Sequence, residues 1–394
     1  MTTRRTFLAQ SLALATAPAL VGQANKRTWR VGVIGHTGRG NFGHGLDVVW
    51  NLLSETSIAA VSDGNASGLA KARKKLKVDK GYADFREMLE KEKPEIVAVC
   101  PRHVDQRVPM ITAACEAGAK GIYVEKPFVR SPREGDQIAE ACSKSGTKLA
   151  IAHRNRYHPV LPVLKKLLEN GLIGDVLELR GRGKEDRRGG GEDLWVLGTH
   201  VFDLFYNLAG KPLSCSAEMR EGGQPVTKKH VVDGNEGLGP LAGDELHARW
   251  RMTNGWTAYF DSVRNRGRRE AAFGLQIIGN KGVVDLRNDR EPLVHLMAHS
   301  PWEPAKADRQ WVPVTSAGVG KAEPLEIRGA IHNHVAATRD LLAAIKEDRP
   351  PLCDLEAGRM TAEFACSVFE SHRLGGRSVA MPLKTRVNPL ALLD

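Results

Sequence analysis

Trp29-Arg30-Val31-Gly32-Val33-Ile34-Gly35-His36-Thr37-Gly38-Arg39-Gly40-Asn41-Phe42-Gly43 is the stretch that decides the fold. A short β-branched run ending in glycines predicts a strand followed by a tight turn. Apolar residues at Leu46, Val49, Leu52 and Leu53 then predict a helix. Strand, glycine turn and helix are the parts that bring backbone N–H groups against a pyrophosphate at a helix N-terminus. Gly35, Thr37, Gly38, Arg39, Gly40 and Asn41 are the candidate cradle. Their spacing is GxxGxG rather than GxGxxG, so the turn needs support from its surroundings.

That support comes downstream. The strand Ile58–Ser62 ends at Asp63, about 20 residues beyond Gly43, where an acid is placed to bond an adenosine ribose. A carboxylate there repels a 2′-phosphate, which puts NAD ahead of NADP; the other reading is a cap on the helix that starts near Ala66. Helices over Phe85–Lys91, Val108–Ala117 and Pro132–Ser145 alternate with strands Ile96–Cys100, Gly121–Glu125 and Lys148–His153. This alternation predicts a doubly wound parallel sheet over residues 28–150. Pro101, Arg102 and His103 follow one strand end and flank the cofactor in this reading.

Residues 151–385 read differently. Strands over Val176–Arg182, Ser214–Arg220, Glu245–Met252, Thr257–Ser262, Phe273–Gly279 and Val283–Leu286 are joined in part by Thr253-Asn254-Gly255 and Gly279-Asn280-Lys281-Gly282 turns. Such spacing predicts hairpins and an antiparallel sheet, closed by helices His334–Lys346 and Glu356–Arg373 and a tail at 386–394. The fold class is therefore α/β: a doubly wound parallel sheet, then an α/β domain with an open, mostly antiparallel sheet.

Composition agrees. A chain of 394 residues with 42% hydrophobic and 26% charged content makes two folded units rather than a disordered or fibrous chain. No apolar run is long enough for a stable membrane anchor. Six cysteines without a CxxC pair read as core thiols. The formal charge of +11 is scattered, as in Lys71-Ala72-Arg73-Lys74-Lys75, without the aromatic-interleaved stripe that nucleic acid requires. The basic field would favour an acidic glycan. No His, Cys and carboxylate cluster has metal-ligand spacing, His332-Asn333-His334 included, so no metal is expected.

Residues 1–24 read as an address. Thr3-Arg4-Arg5-Thr6-Phe7-Leu8 is a twin-arginine pattern, followed by an apolar stretch to Val21 and Gly22-Gln23-Ala24. This is the order of a Tat-type export signal, and implies the Tat machinery as a partner and an exported, periplasmic or extracytoplasmic location. Loss of Arg4 and Arg5 takes the charge from +11 to +9. The Tat route carries folded proteins, so a cofactor inserted beforehand leaves with its protein.

The strand Gly121–Val124 running into Glu125-Lys126-Pro127, with the glycine turn, Asp63, Tyr82-Ala83-Asp84-Phe85 and Gly198-Thr199-His200-Val201-Phe202-Asp203, resembles the Gfo/Idh/MocA family. These are relatives of glucose–fructose oxidoreductase and inositol dehydrogenase, and the likeness extends over roughly residues 30 to 383. It implies a Rossmann domain, a second domain whose open sheet often forms a homo-oligomer interface, and a nicotinamide between the two. It also implies a commonly cis Lys126–Pro127 bond.

Within that frame Glu125 and Lys126 sit at a strand's C-terminal end, where doubly wound sheets place ligands. Lys126 would hold a substrate hydroxyl and stabilise developing alkoxide. His200 suits a general base, and Asp203, three residues on, would orient it on a shared helix face. Sugar-oxidising relatives often carry an Asp four positions before this His; here the residue is Val196. Asp193 is the candidate substitute. His153, Arg154 and Arg156 lie where the domains join and offer donors to a substrate, or else form a hinge. Trp195 would stack on a sugar ring or belong to the core. The loop Gly183–Glu192 reads as a polar lid.

Three functions fit these residues. The leading one is an NAD(P)-dependent oxidoreductase on a sugar or polyol, its cofactor kept tightly bound because free dinucleotide is scarce outside the cytoplasm. The second is redox-neutral cleavage of a glycoside through transient oxidation, for which Val196 leaves room. The third is a non-catalytic member that keeps the nucleotide fold.

Overall fold

The computed structural model describes residues 28–267, 273–303 and 309–394; the export signal expected at 1–24 lies outside them. The first domain is built on β1 (Trp29–Ile34), β2 (Thr56–Ser62), β3 (Gly81–Tyr82), β4 (Ile96–Val99), β5 (Gly121–Val124) and β6 (Lys148–Ile151), all parallel, in the order β3-β2-β1-β4-β5-β6. The order reverses between β1 and β4, which opens a crevice at their carboxyl ends. Both faces of the sheet are covered, so β4 and β5 are buried at every residue.

Four helices pack on this sheet: α1 (Ala66–Leu76), α2 (Phe85–Glu92), α3 (Arg107–Glu116) and α4 (Pro132–Ser145). Their ends follow local chemistry. Asn65 caps α1 through the Gly68 N–H, Asp84 caps α2 through the Arg86 N–H, and Ser131 with Pro132 starts α4. The helix expected after the glycine turn does not form. Residues 42–48 are turns followed by a short 3-10 segment, Val49–Leu52. Gly38, Gly40, Gly43, Gly45 and Asn41 all have positive φ, a conformation an α-helix cannot propagate. Leu46, Val49, Trp50 and Leu53 are buried nonetheless.

The second domain holds an eleven-stranded sheet. Its main path runs Gly318–Val319, Val312–Thr315, Val294–Ala298, Gly282–Arg287, Gly274–Gly279, Val176–Arg182, Thr257–Val263, Glu245–Met252, Pro212–Glu221 and Val379–Ala380. Every pairing is antiparallel except that of Val176–Arg182 with Thr257–Val263. Alternation is clean in Glu245–Met252, where Leu246, Ala248, Trp250 and Met252 point inward. Helices α5 (Val160–Glu169), α6 (Gly191–Val196), α7 (Gly198–Ala209), α8 (Leu325–His332), α9 (Val335–Lys346) and α10 (Leu355–Arg373) complete the domain.

An aromatic cluster seats α7. Phe202 stacks on Phe364 of α10 with ring centroids 5.2 Å apart and meets Phe260 and Trp250 edge-on. The Trp250 indole N–H donates to Ser367 Oγ at 2.9 Å, satisfying its one polar atom. All six cysteines are buried thiols; Cys115 and Cys142 approach with sulfurs 3.8 Å apart. Among the described residues no helix is long and apolar enough to cross a membrane. Phe202→Ala should lower the unfolding free energy by about 3–5 kcal/mol, the cost of emptying a packed aromatic site. Urea denaturation followed by tryptophan fluorescence measures it, and a loss below about 1 kcal/mol would contradict this packing.

Candidate active site

Three loops meet at the crevice. The glycine turn is pressed onto the segment after β4: a Cβ on Gly40 would fall 2.3 Å from the Arg102 backbone nitrogen and 2.7 Å from that of His103. Gly43 is as confined, its Cβ position lying 2.6 Å from the Cys100 carbonyl and 2.8 Å from Glu125 Cγ. Glycine is therefore required at both, sterically as well as by φ. Buried Arg107 donates to the carbonyls of Pro101 (2.9 Å) and Pro127 (3.3 Å), bracing the ends of β4 and β5 against each other.

Glu125 is the junction. Its carboxylate accepts from the His44 backbone N–H at 3.2 Å, from the His44 ring and from the Lys126 N–H at 2.6 Å. Burial pushes its pKa up, but the His44 hydrogen bond and the Lys126 charge outweigh this and hold it at about 2. Lys126 follows through a cis Lys126–Pro127 bond, and its ammonium donates to the Val196 carbonyl at 3.3 Å. Burial lowers the Lys126 pKa, opposed by Glu125, Glu236 and Asp289.

His200, on the first turn of α7, faces Lys126 across a cavity of about 280 Å³. Burial first, and then the positive charge of Lys126, drive its pKa well below the ordinary imidazole value. His153 stands edge-on to it at 5.2 Å and Phe273 at 5.8 Å. Val196 lines the same cavity as an apolar wall. Two groups able to handle a proton and an alkoxide thus come from separate domains to one space, and among the described residues no carboxylate is hydrogen-bonded to His200.

Arg154 and Lys184 line the cavity as well, as do Arg102, Arg188, Glu236, Asp289, His44 and His334. Arg102 pairs with Glu236 at 3.2 Å. His334, buried, bonds the Tyr123 hydroxyl through Nδ1 at 2.7 Å. His44, Glu236, Asp289 and His334 escaped the sequence reading. His44 lies next to the glycine turn and had a local signal; the other three arrive from distant segments and had none.

Several expectations are corrected. Asp203 does not orient His200: it pairs with Arg156 at 2.9 Å, and Cys353 lies 3.5 Å from the same oxygen. The 3-10 turn Arg154–Tyr157 aims Arg156 at α7 and away from the cavity, so neither member of this pair meets substrate there. Asp193 does not replace the missing acid. Fully buried, it accepts from the Lys184 and Glu185 N–H groups and from Ser262 Oγ at 2.7 Å. Trp195 is core, buried beside Phe369.

The 183–192 loop is not a free lid. Asp193 holds one end, Gly190 N–H donates to Ser262 Oγ, and Gly191 N–H donates to the Gly243 carbonyl. Asp63 is also turned inward: its oxygens accept from Thr37 N–H and Oγ1 and from Asn65 N–H, so it locks the glycine turn. Arg39 pairs with Asp105, and Asn41 accepts from Gly38 N–H.

A dinucleotide still fits the crevice. Arg102 Nε and His103 Nδ1 are buried beside the glycine turn without partners, and the confined glycines keep side chains out of the path. Among the described residues no group of His, Cys, Asp or Glu could hold a metal.

Residues 29–153 match the GFO_IDH_MocA oxidoreductase family with an NAD-binding Rossmann fold, and residues 165–381 match its C-terminal alpha/beta domain. The chain is 24% identical over 257 residues to the levoglucosan dehydrogenase of Pseudarthrobacter phenanthrenivorans, covering 58% of this chain but only 65% of that protein. It is 29% identical over 278 residues to the myo-inositol 2-dehydrogenase of Thermotoga maritima, 68% of this chain and 78% of the other. A solved levoglucosan dehydrogenase in complex with NADH and levoglucosan shares the fold, with a TM-score of 0.70 at 20% identity over 90% of this chain and all of that one.

The buried imidazoles make stability depend on pH. His153 has both ring nitrogens unpartnered, and burial lowers its pKa to about 4, as it does for His334. Unfolded histidine titrates near 6.5, so between roughly pH 6.5 and 4 the unfolded chain binds protons that the native one refuses, and stability falls as pH falls. Each should cost about 1.5–2 kcal/mol between pH 7 and 5. Chemical denaturation at both pH values should show a shallower loss for His153→Gln by about that amount; an unchanged slope would refute the burial of a neutral ring.

Proposed function

The chain belongs to the Gfo/Idh/MocA family of oxidoreductases, with an NAD-binding Rossmann domain, and from that premise we propose that it transfers hydride between a carbinol of a sugar or polyol and the nicotinamide of NAD. The observation that carries this reading is the meeting of Lys126 and His200 in one interdomain cavity. The names of the relatives, dehydrogenases of levoglucosan and myo-inositol, support the substrate class.

The dinucleotide, when bound, accepts the hydride; Arg102 and His103 would face its phosphates, and Glu125 and Lys126 its reactive end. Lys126 would hold the substrate hydroxyl oxygen and stabilise charge as the C–H bond breaks. His200, neutral at pH 7 by virtue of its burial, takes the hydroxyl proton. Glu125 fixes the Lys126 backbone and contributes a negative charge that opposes the lowering of the ammonium's pKa by burial. Val196 keeps water from the space between the two groups.

We propose further that residues 1–24 send the folded protein out by the Tat route with its cofactor retained, and that the open sheet serves a homo-oligomer. The Arg4-Arg5 pair supports the first. Val196 in place of an acid also favours a second reading, redox-neutral cleavage of a glycoside, in which the same two groups act and hydride returns to the sugar.

His200→Asn and Lys126→Met should each lower kcat/KM by about 10²–10⁴. The wild-type acid limb in the direction of oxidation should lie below pH 6.5, because the His200 pKa is depressed. Absorbance of reduced nicotinamide during incubation with sugars and polyols reads the reaction. Accumulating reduced cofactor supports the dehydrogenase; free sugar released from glycosides without it supports the second reading; wild-type rates in both variants would overturn the catalytic assignment.

A further inference from the structure

Among the described residues three acids line the cavity, and each is already engaged. Glu125 is bonded to His44 and the Lys126 amide, and Glu236 to Arg102. Asp289 alone serves two cations: it pairs with Arg154 and lies 3.4 Å from Lys184 Nζ. Among the described residues, one carboxylate between two cations leaves a single positive charge over on the side of the cavity away from the glycine turn.

Those cations are held in place. Arg154 opens the 3-10 turn after β6, while Lys184 extends from the loop that Asp193 and Ser262 anchor. Asp289 is set in a left-handed conformation, φ 63°, next to Asn288, which accepts from the Asn155 amide at 2.5 Å. Phe273 links this corner to the catalytic one: its ring centroid lies 5.2 Å from Lys184 Nζ and 5.8 Å from the His200 ring. Phe273 thus lies between His200 and Lys184 on the wall of one cavity, so a single small ligand there has both within reach.

Resting on the dehydrogenase reading above, we propose that the substrate is a sugar acid, whose carboxylate is received by Lys184 and Arg154 while its carbinol meets Lys126 and His200. A carboxylate carries one charge, equal to the charge left over at Asp289; a phosphate dianion would exceed it. Lys184 and Arg154 are binding residues in this scheme, and Asp289 positions them.

Calorimetric titration of the full-length, NAD-loaded protein tests this, with D-glucuronate and D-galacturonate against glucose, galactose and glucose 6-phosphate. The uronates should bind about tenfold more tightly than the neutral hexoses, with the advantage shrinking as salt is raised. Lys184→Gln should weaken uronate binding about tenfold, and Lys184→Arg should largely restore it, with melting temperatures verifying that both variants fold. Equal or tighter binding of neutral hexoses, tighter binding of the phosphate, binding of none of them, or an unaltered Lys184→Gln each overturns the proposal. Cofactor reduction by neutral hexoses without uronate binding sinks the substrate class alone. Lys184-dependent uronate binding with no cofactor reduction in any mixture supports the carboxylate site and sinks the dehydrogenase reading instead.

Discussion

A single buried carboxylate holds the site together. Glu125 directly follows β5, yet two of its three hydrogen bonds go to His44 in the turn that follows β1, 81 residues earlier in the chain. The third fixes the amide of Lys126. Placement of the glycine turn and placement of the ammonium are thus one event rather than two. Because the His44 bond and the Lys126 charge keep the acid ionised to about pH 2 against its own desolvation, the junction stays charged across any physiological range. Removing the carboxylate would loosen both partners together, since each is left with an unmet donor.

The fold was largely legible, for reasons that differ between the halves. In the first half, four-residue β-branched runs such as Ile96–Val99 bounded by helical periodicity admit little besides parallel strands buried on both faces. In the second, the alternation of Glu245–Met252 and an Asn-Gly turn announce a hairpin. The miss after β1 is instructive. Apolar spacing over Leu46–Leu53 matched a helix because Leu46, Val49 and Leu53 are indeed buried, although Leu52 is exposed, but burial does not fix backbone conformation. Four glycines and Asn41 at positive φ selected a chain of turns with the same buried face.

The site was less legible, since charged side chains choose partners by three-dimensional proximity. Asp203 at helical spacing from His200 looked like its partner, whereas Arg156, 47 residues away, offers a guanidinium at 2.9 Å. A buried carboxylate gains far more from a full positive charge than from a neutral ring, so that pairing prevails. Asp63 and Asp193 show the same rule in another form. Each is a buried acid whose oxygens accept from backbone amides and a hydroxyl packed around it, which makes it a fastening for a loop. Motif position predicted where these acids sit in the fold, and hydrogen-bond supply decided what they do.

The fastenings also settle how the cavity is assembled. Lys126 and His200 belong to different domains, so their separation is only as constant as the domain interface. That interface is tied at several independent points: Lys126 to the Val196 carbonyl, Tyr123 to His334, Ile151 N–H to the Cys353 carbonyl, and Asp136 to both Arg359 and Arg386. Two of these ties, Tyr123 with His334 and Ile151 with Cys353, are buried, where solvent cannot compete for the partners. The same region contains His153, whose ring nitrogens find no partner. His153 is fully buried and stands edge-on to His200 at 5.2 Å, and its imidazole is left without a hydrogen bond, as are Arg102 Nε and His103 Nδ1 beside the glycine turn. Burial there lowers the pKa of both rings, that of His153 to about 4 and that of His200 well below the ordinary imidazole value, so the uncharged form of each is favoured at the seam between the domains.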